Sequence, residues 1–224
     1  MNQNSYFQIP NPKPQLEPPL WLWRAVRLGL AVLVVVVAGF VIVVASGVAD
    51  PRPVGSLKWE EKWIVDSGQW VVFGEKVEIG EGKLEIVLER GEIGGAVTRS
   101  EGAEYTFEVA GGQADGEIGA AYGIVFGYES PESYIAAMIN GNGYVEVVSA
   151  DGREWMAWQQ WPNILLGTEA NRLRVDVQGG QGLIRINDEV LMRVPVGDGA
   201  IGVIARASAD SQRVRFGWAK YWTR

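Results

Sequence analysis

The run from Leu28 to Ala49, LGLAVLVVVVAGFVIVVASGVA, carries no charged residue over 22 positions. Its valine and isoleucine content would suit a buried strand, but strands seldom exceed about ten residues, so length selects a helix. At about 1.5 Å per residue that helix is ~33 Å long, enough to cross a hydrocarbon core of ~30 Å. The expected organisation is a Pro-rich tail (1–23), a transmembrane helix (24–49), a linker (50–56) and a folded domain (57–224). Contact with the lipid bilayer falls to residues 28–49.

The flanks support this layout. Residues 1–20 hold five of the ten prolines and read as extended chain with no core of its own. Trp21 and Trp23, beside Arg24 and Arg27, suit a membrane interface: indole rings settle at headgroup depth and the guanidinium groups reach outward to water. Pro51 and Pro53 stop the helix and stiffen the linker. Arg52, Lys58 and Lys62 balance Lys13, Arg24 and Arg27 on the other side, so flanking charge alone does not orient the span. A short tail, an apolar span and then a large domain read as a signal anchor, with the N-terminus cytoplasmic and the C-terminal domain extracytoplasmic. Gly47-Val48-Ala49 resembles a cleavage site, but the apolar run is long for a signal peptide and 27 residues precede it. An uncleaved single-pass anchor is expected.

Composition removes several chemistries. The chain has no cysteine and no histidine, so disulfides, thiol nucleophiles and a Ser-His-Asp triad are excluded. Carboxylate, lysine and tyrosine chemistry remains. Net charge is +2 before the apolar run and −9 after it. So acidic a domain argues against nucleic acid as a partner.

Beyond Ser56 the hydrophobic period is two. Leu84, Ile86 and Leu88 share one face of KLEIVLER, Tyr105, Phe107 and Val109 one face of EYTFEV, and Leu173, Val175 and Val177 one face of NRLRVDVQ. The closing VRFGWAKYW is expected to put Val214, Phe216 and Trp218 on one side. Turns such as NGNG (140–143), ADGR (150–153) and QGGQG (178–182) separate these segments, and no fixed repeat appears. The fold class expected is all-β: an antiparallel two-sheet jelly-roll sandwich preceded by one transmembrane α-helix.

The run AYGIVFGYESPESYIAAMINGNGYVEVVSADGREW (121–155), the block EANRLRVDVQGGQGLIRINDEVL (169–191) and the strand GAIGVIA (199–205) together resemble the concanavalin A-like lectin/glucanase superfamily. Its laminin-G-like and 3-keto-disaccharide-hydrolase-like branches, found on bacterial surface proteins, are the nearest, and the resemblance covers residues 57–222. It implies the sandwich fold and is silent on activity. The superfamily's glucanases carry an E-x-D-x-E strand, whose spacing turns the carboxylates to one face. That motif is absent here, so the chain is expected not to be an enzyme. The nearest pairs, Glu85/Glu89 and Glu104/Glu108, lie opposite apolar faces and are expected on a solvated outer surface, while Asp115 and Glu117 fall in a turn. No cofactor is expected. The resemblance allows structural calcium, with Asp115, Glu117, Asp151, Asp188 and Asp198 as loop carboxylates, although turn chemistry accounts for each of them.

Aromatic side chains are the remaining guide to a ligand. Trp155, Trp158 and Trp161 cluster in REWMAWQQWPN, and with Tyr144 they suggest a glycan platform. The resemblance places tryptophans at positions like Trp155 and Trp161 in the core or at its edge. Trp155 and Trp158 differ in parity, so at most one joins a given sheet face. The candidate ligand-binding residues are Tyr144, Trp155 and Trp158. The expected function is a non-catalytic extracytoplasmic module that recognises a surface glycan or a protein partner. The alternative is an accessory structural subunit of a larger membrane complex, with Gly29, Ala31, Ala38 and Gly39 permitting close helix contacts.

Overall fold

The computed structural model describes residues 19–45, 52–64, 68–116 and 118–223. The tail up to Pro18, residues 46–51 with Pro51, and Glu117 lie outside the described residues. The chain divides into two compact units, Met1–Asp50 and Pro51–Arg224.

The first unit holds helix α1 (Leu20–Ala45), which takes in Trp21, Trp23, Arg24 and Arg27. It is long and apolar enough to cross a membrane, and its side chains from Leu20 to Val43 are exposed. The absence of proline from this segment leaves the helical hydrogen-bond ladder unbroken.

The second unit is a sandwich of two antiparallel sheets. Its strands are β1 (Ser56–Glu61), β2 (Val71–Phe73), β3 (Val77–Gly80), β4 (Lys83–Leu88), β5 (Ile93–Thr98), β6 (Tyr105–Gly116), β7 (Ala121–Ser130), β8 (Ser133–Ile139), β9 (Tyr144–Ser149), β10 (Glu154–Gln160), β11 (Asn171–Gln178), β12 (Gln181–Ile186), β13 (Glu189–Pro195), β14 (Ala200–Arg206) and β15 (Gln212–Thr223). The first sheet runs β13-β12-β11-β6-β15-β4-β3, with β1 also paired to β15; the second runs β10-β9-β8-β7-β14-β5-β2. Chain-distant strands lie side by side in both, as the jelly-roll expectation requires.

Alternation builds the core between the sheets. Leu84, Ile86, Leu88, Phe107, Val109, Leu173 and Val175 face inward from the first sheet, against Tyr122, Ile124, Phe126, Val145, Val147 and Val203 from the second. One end is closed by aromatic packing. Trp59 stacks on Tyr221 at 5.4 Å between ring centroids, and Trp63 lies 4.7 Å from Trp70. Trp63 is fully buried at φ 56°, a conformation a bulky side chain rarely adopts. It is held there by its backbone: its N–H donates to Glu61 Oε1 at 2.8 Å and its carbonyl accepts from Gly82 N at 3.0 Å.

Strict alternation fails in β15. A register shift between Phe216 and Trp218 leaves Val214 and Phe216 in the core but turns Trp218 away from it, beneath Lys220 at 4.8 Å. Ala219 and Tyr221 then take the core positions. The expectation of Val214, Phe216 and Trp218 on one side is corrected by this bulge: one extra residue reverses the parity of everything after it.

Candidate functional site

The strands of the second sheet are apolar on both faces. In β8 the odd residues Ile135, Ala137 and Ile139 face the core, yet the even residues Tyr134, Ala136 and Met138 are apolar too. The outer face carries Val97, Ala121, Val125, Ala136, Met138 and Ile204, all buried. Water is kept off them by Phe73, Tyr128, Tyr134 and Val148, which pack on the same patch.

The rings are placed by two backbone devices. Phe73 pairs with Gly95, and a Cβ on Gly95 would fall 2.5 Å from Phe73 Cζ and 2.2 Å from Val203 O. The glycine is what lets the ring lie on the sheet. Tyr128 would face the core by simple alternation with Phe126. A register shift around Gly127, at φ +59°, inserts one residue and turns Tyr128 to the outer face opposite Ala200. Phe73 and Tyr128 then lie 5.6 Å apart at 18°, and Tyr128 and Tyr134 lie 5.9 Å apart at 16°. Near-parallel rings touch at about 3.5–4.0 Å, so these separations make an offset staircase in which part of each ring face stays open. Burial raises the hydroxyl pKa of both Tyr128 and Tyr134, keeping them neutral and able to donate.

Carboxylates border the staircase on two sides. On β9, Val145 and Val147 face the core, so Tyr144, Glu146 and Val148 point outward. Glu146 is buried at 6% exposure and paired with Arg206 of β14. Burial pushes its carboxyl above the ordinary range. Arg206 offsets part of that rise, and the charge of Glu154 adds to it. Glu154, on the neighbouring strand β10, pairs with Val148 and so shares this face. At the other side, Tyr134 borders a cleft of about 250 Å³ with Glu129, Glu132, Asp151 and Asp198 in its walls. An apolar ring platform flanked by hydrogen-bonding carboxylates matches a pyranose, which has apolar C–H faces and a rim of hydroxyls.

The structure separates the residues expected to act together. Tyr144 is 41% exposed on this outer face, two residues from Glu146. Trp155 packs against the core, donates from Nε1 to Ser149 Oγ at 2.7 Å and is covered by Arg153 at 3.6 Å. Trp161 also packs on the core, while Trp158 is 38% exposed. Register shifts on both sides of Met156 break the parity on which the Trp155/Trp158 argument relied.

The acidic pairs are also placed differently from expectation. Glu85 and Glu108 lie on the outer face of the first sheet, but at 9% and 6% exposure they are not solvated. Arg215 Nε sits 2.5 Å from Glu85, and Arg174 and Arg172 stand near Glu108. Asp115 lies at the end of strand β6 rather than in a turn and accepts from Gly116 N–H, Asp151 accepts from the Arg153 N–H of its own turn, and Asp188 pairs with Arg172 and Arg174. Among the described residues no three acidic side chains gather where they could share a metal ion.

Sequence reasoning missed Phe73, Tyr128, Tyr134, Glu146 and Arg206. A signal was present in SYIAAMI and AIGVIAR, which are apolar at odd and even positions alike. An antiparallel strand with no polar face has something on its outer side.

No protein-family model and no curated protein matches the chain. Solved structures do. A GH43 protein, BlXynB, from Bacillus licheniformis superposes with a TM-score of 0.57 at 15% identity, over 78% of this chain and 41% of its own, so the chain spans less than half of that protein. The catalytic domain of an endo-1,3-beta-glucanase (laminarinase) from Thermotoga petrophila RKU-1 gives 0.54 at 11% identity, over 76% and 98%. The carbohydrate-binding module CBM66 from Bacillus subtilis gives 0.51 at 14%, over 66% and 91%. At such identities the likeness is one of fold: a β-sandwich used both by sugar-cleaving domains and by a sugar-binding module. It overturns the expectation that the chain is not an enzyme, and with it the reading as a non-catalytic interaction module or structural subunit. The absence of E-x-D-x-E on one strand was too narrow a test, because adjacent strands can bring carboxylates to one face, as β9 and β10 bring Glu146 and Glu154.

Proposed function

We propose that this is a sugar-active domain whose carbohydrate site is the outer face of the second sheet. The observation that carries the reading is the staircase of Phe73, Tyr128 and Tyr134 on the same sheet face as the buried Glu146, which pairs with Met138 four residues along β8 from Tyr134. A sugar chain rests the apolar face of one unit on the open ring surfaces, its hydroxyls reach toward the carboxylates of this face, and Tyr144 serves a further unit along β9. Glu146, with a pKa raised by burial, is the group suited to hold a proton for a glycosidic oxygen, and Glu154 is the second carboxylate. Arg206 positions Glu146 by the hydrogen bond that its guanidinium donates to Oε1.

The test is release of reducing ends by the full chain in mild detergent, against a panel that includes laminarin and xylo-oligosaccharides. Turnover of one member should fall at least about 100-fold in Glu146→Gln, in line with loss of a general acid, while the melting temperature is kept. Turnover unchanged in Glu146→Gln would remove Glu146 from the chemistry.

Helix α1 is read as a bilayer anchor, with Trp21, Trp23, Arg24 and Arg27 at the interface on the cytoplasmic side and the sandwich (57–224) extracytoplasmic. Its length and apolar composition support the anchor, and the layout of a short tail, an apolar span and a large domain supports the orientation. Resistance to alkaline extraction, together with digestion of the sandwich by protease added outside intact cells, checks both parts. Extraction into the soluble fraction would contradict the anchor.

A further inference from the structure

The outer face of the first sheet contains a cleft of about 340 Å³ whose charge is opposite to that of the domain around it. The chain beyond the apolar run carries −9, yet Arg52, Arg174, Arg185 and Arg193 line this cleft with Asp176 as its single carboxylate. Its volume is at the small end of the range for ligand sites, about 300–1,000 Å³.

The carboxylate is already fully engaged. Arg174 Nε and Arg185 Nε approach Asp176 Oδ2 at 3.4 and 3.2 Å, and the Thr106 hydroxyl donates to Oδ1 at 2.8 Å. Arg174, with a side chain only 3% exposed, also reaches Asp188 at 3.9 Å, and Arg185 Nη1 donates to the Asp188 carbonyl at 3.0 Å. These contacts fix the floor. Arg52 and Arg193 are exposed at the rim and form no ion pair among the described residues. The Arg52 segment is tied to the sheet where Val54 N–H donates to Thr106 Oγ1 at 3.4 Å. Two guanidinium groups that form no ion pair among the described residues thus stand over a floor whose one carboxylate is already engaged. The planar fork of arginine fits the paired oxygens of phosphate or carboxylate.

We infer that this cleft binds a small oxyanion, a molecule bearing a phosphate or carboxylate group, independently of the sugar face on the other sheet. The test is calorimetric titration of the full chain in a neutral mild detergent with inorganic phosphate, with glucuronate, and with dihexanoyl phosphatidylglycerol below its micellar concentration. At least one should bind saturably at one site per chain. Affinity should fall tenfold or more in Arg193→Glu and Arg52→Glu, and stay unchanged in Arg90→Glu and in Tyr134→Ala. A preference for phosphatidylglycerol identifies a lipid headgroup, and a preference for phosphate or glucuronate identifies a soluble ligand. Binding lost in Tyr134→Ala would place the anion on the sugar face and overturn the inference. So would the absence of saturable binding by all three probes, full retention in both rim variants, or equal loss in Arg90→Glu, which marks a general charge effect. Melting curves confirm that the surface variants stay folded.

Discussion

The two sheets share one core but turn opposite chemistry outward. The first sheet's outer face is charged and internally paired: Glu85 with Arg215 and Lys83, and Asp176 with Arg174 and Arg185. The second sheet's outer face is apolar, floored by glycine, alanine and valine and capped by three rings, with the buried Glu146 paired to the half-buried Arg206. Ion pairs between neighbouring strands satisfy one another, so on the first sheet the unmet charge lies with the rim arginines Arg52 and Arg193. An apolar face sheltered only by its own aromatic side chains retains surface that a ligand can cover.

The contrast can be broken first at Arg174. Replacing it with alanine leaves buried carboxylate charge short of its cation, and a loss of about 3–5 kcal/mol is expected in urea unfolding. A loss below about 1 kcal/mol would mean that the first-sheet pairs are independent surface contacts. Next, Gly95→Ala forces the strand or the Phe73 ring to move, at an expected cost of about 1–3 kcal/mol. A neutral result would show that the ring does not lie on the sheet.

Acid–base behaviour should divide the carboxylates by sign. Burial pushes Glu85 up, but hydrogen bonds from Arg215 and Lys83 outweigh it and hold the carboxyl below its ordinary value. Its contribution is therefore present above the ordinary carboxylate range and is lost as pH falls through its lowered pKa. Glu146 and Glu108 are raised, mainly by burial, so their contribution is fully present below the ordinary range and is lost as pH rises through their elevated values. Relative to the parent chain, Glu108→Gln should gain stability between pH 4 and 8, while Glu85→Gln should lose its stability deficit as the solution is acidified below pH 4. Unfolding curves across that range check both signs, and parallel curves would contradict them. The smallest effect on stability is expected from Tyr134→Ala, about 1 kcal/mol or less, with glycan affinity falling up to about tenfold. Equal affinity would take the last ring out of the site.

Much of the fold was legible because period-two alternation is a local property. Leu84, Ile86 and Leu88, Phe107 and Val109, and Leu173 and Val175 all face the core as their spacing requires. Bulges broke the rule. Gly217 and Gly127 each precede a reversal of parity, and a reversal depends on pairing with a distant strand. The site was less legible for the same reason. Phe73 lies 55 residues before Tyr128, which is six residues from Tyr134 across the β7–β8 hairpin, and the three meet only because β2, β7 and β8 share a sheet. Tyr144 is exposed beside a turn, whereas Trp155 is held by the core and by Ser149.

The most direct measurement is a titration of the full chain, carrying isotope-labelled tyrosine and phenylalanine rings, with the sugar that the panel selects. Ring resonances of Phe73, Tyr128 and Tyr134 are expected to shift together and saturate at one site, while those of the core residues Tyr105 and Tyr221 stay fixed. Saturable binding that leaves Phe73, Tyr128 and Tyr134 all unmoved would contradict the proposed site.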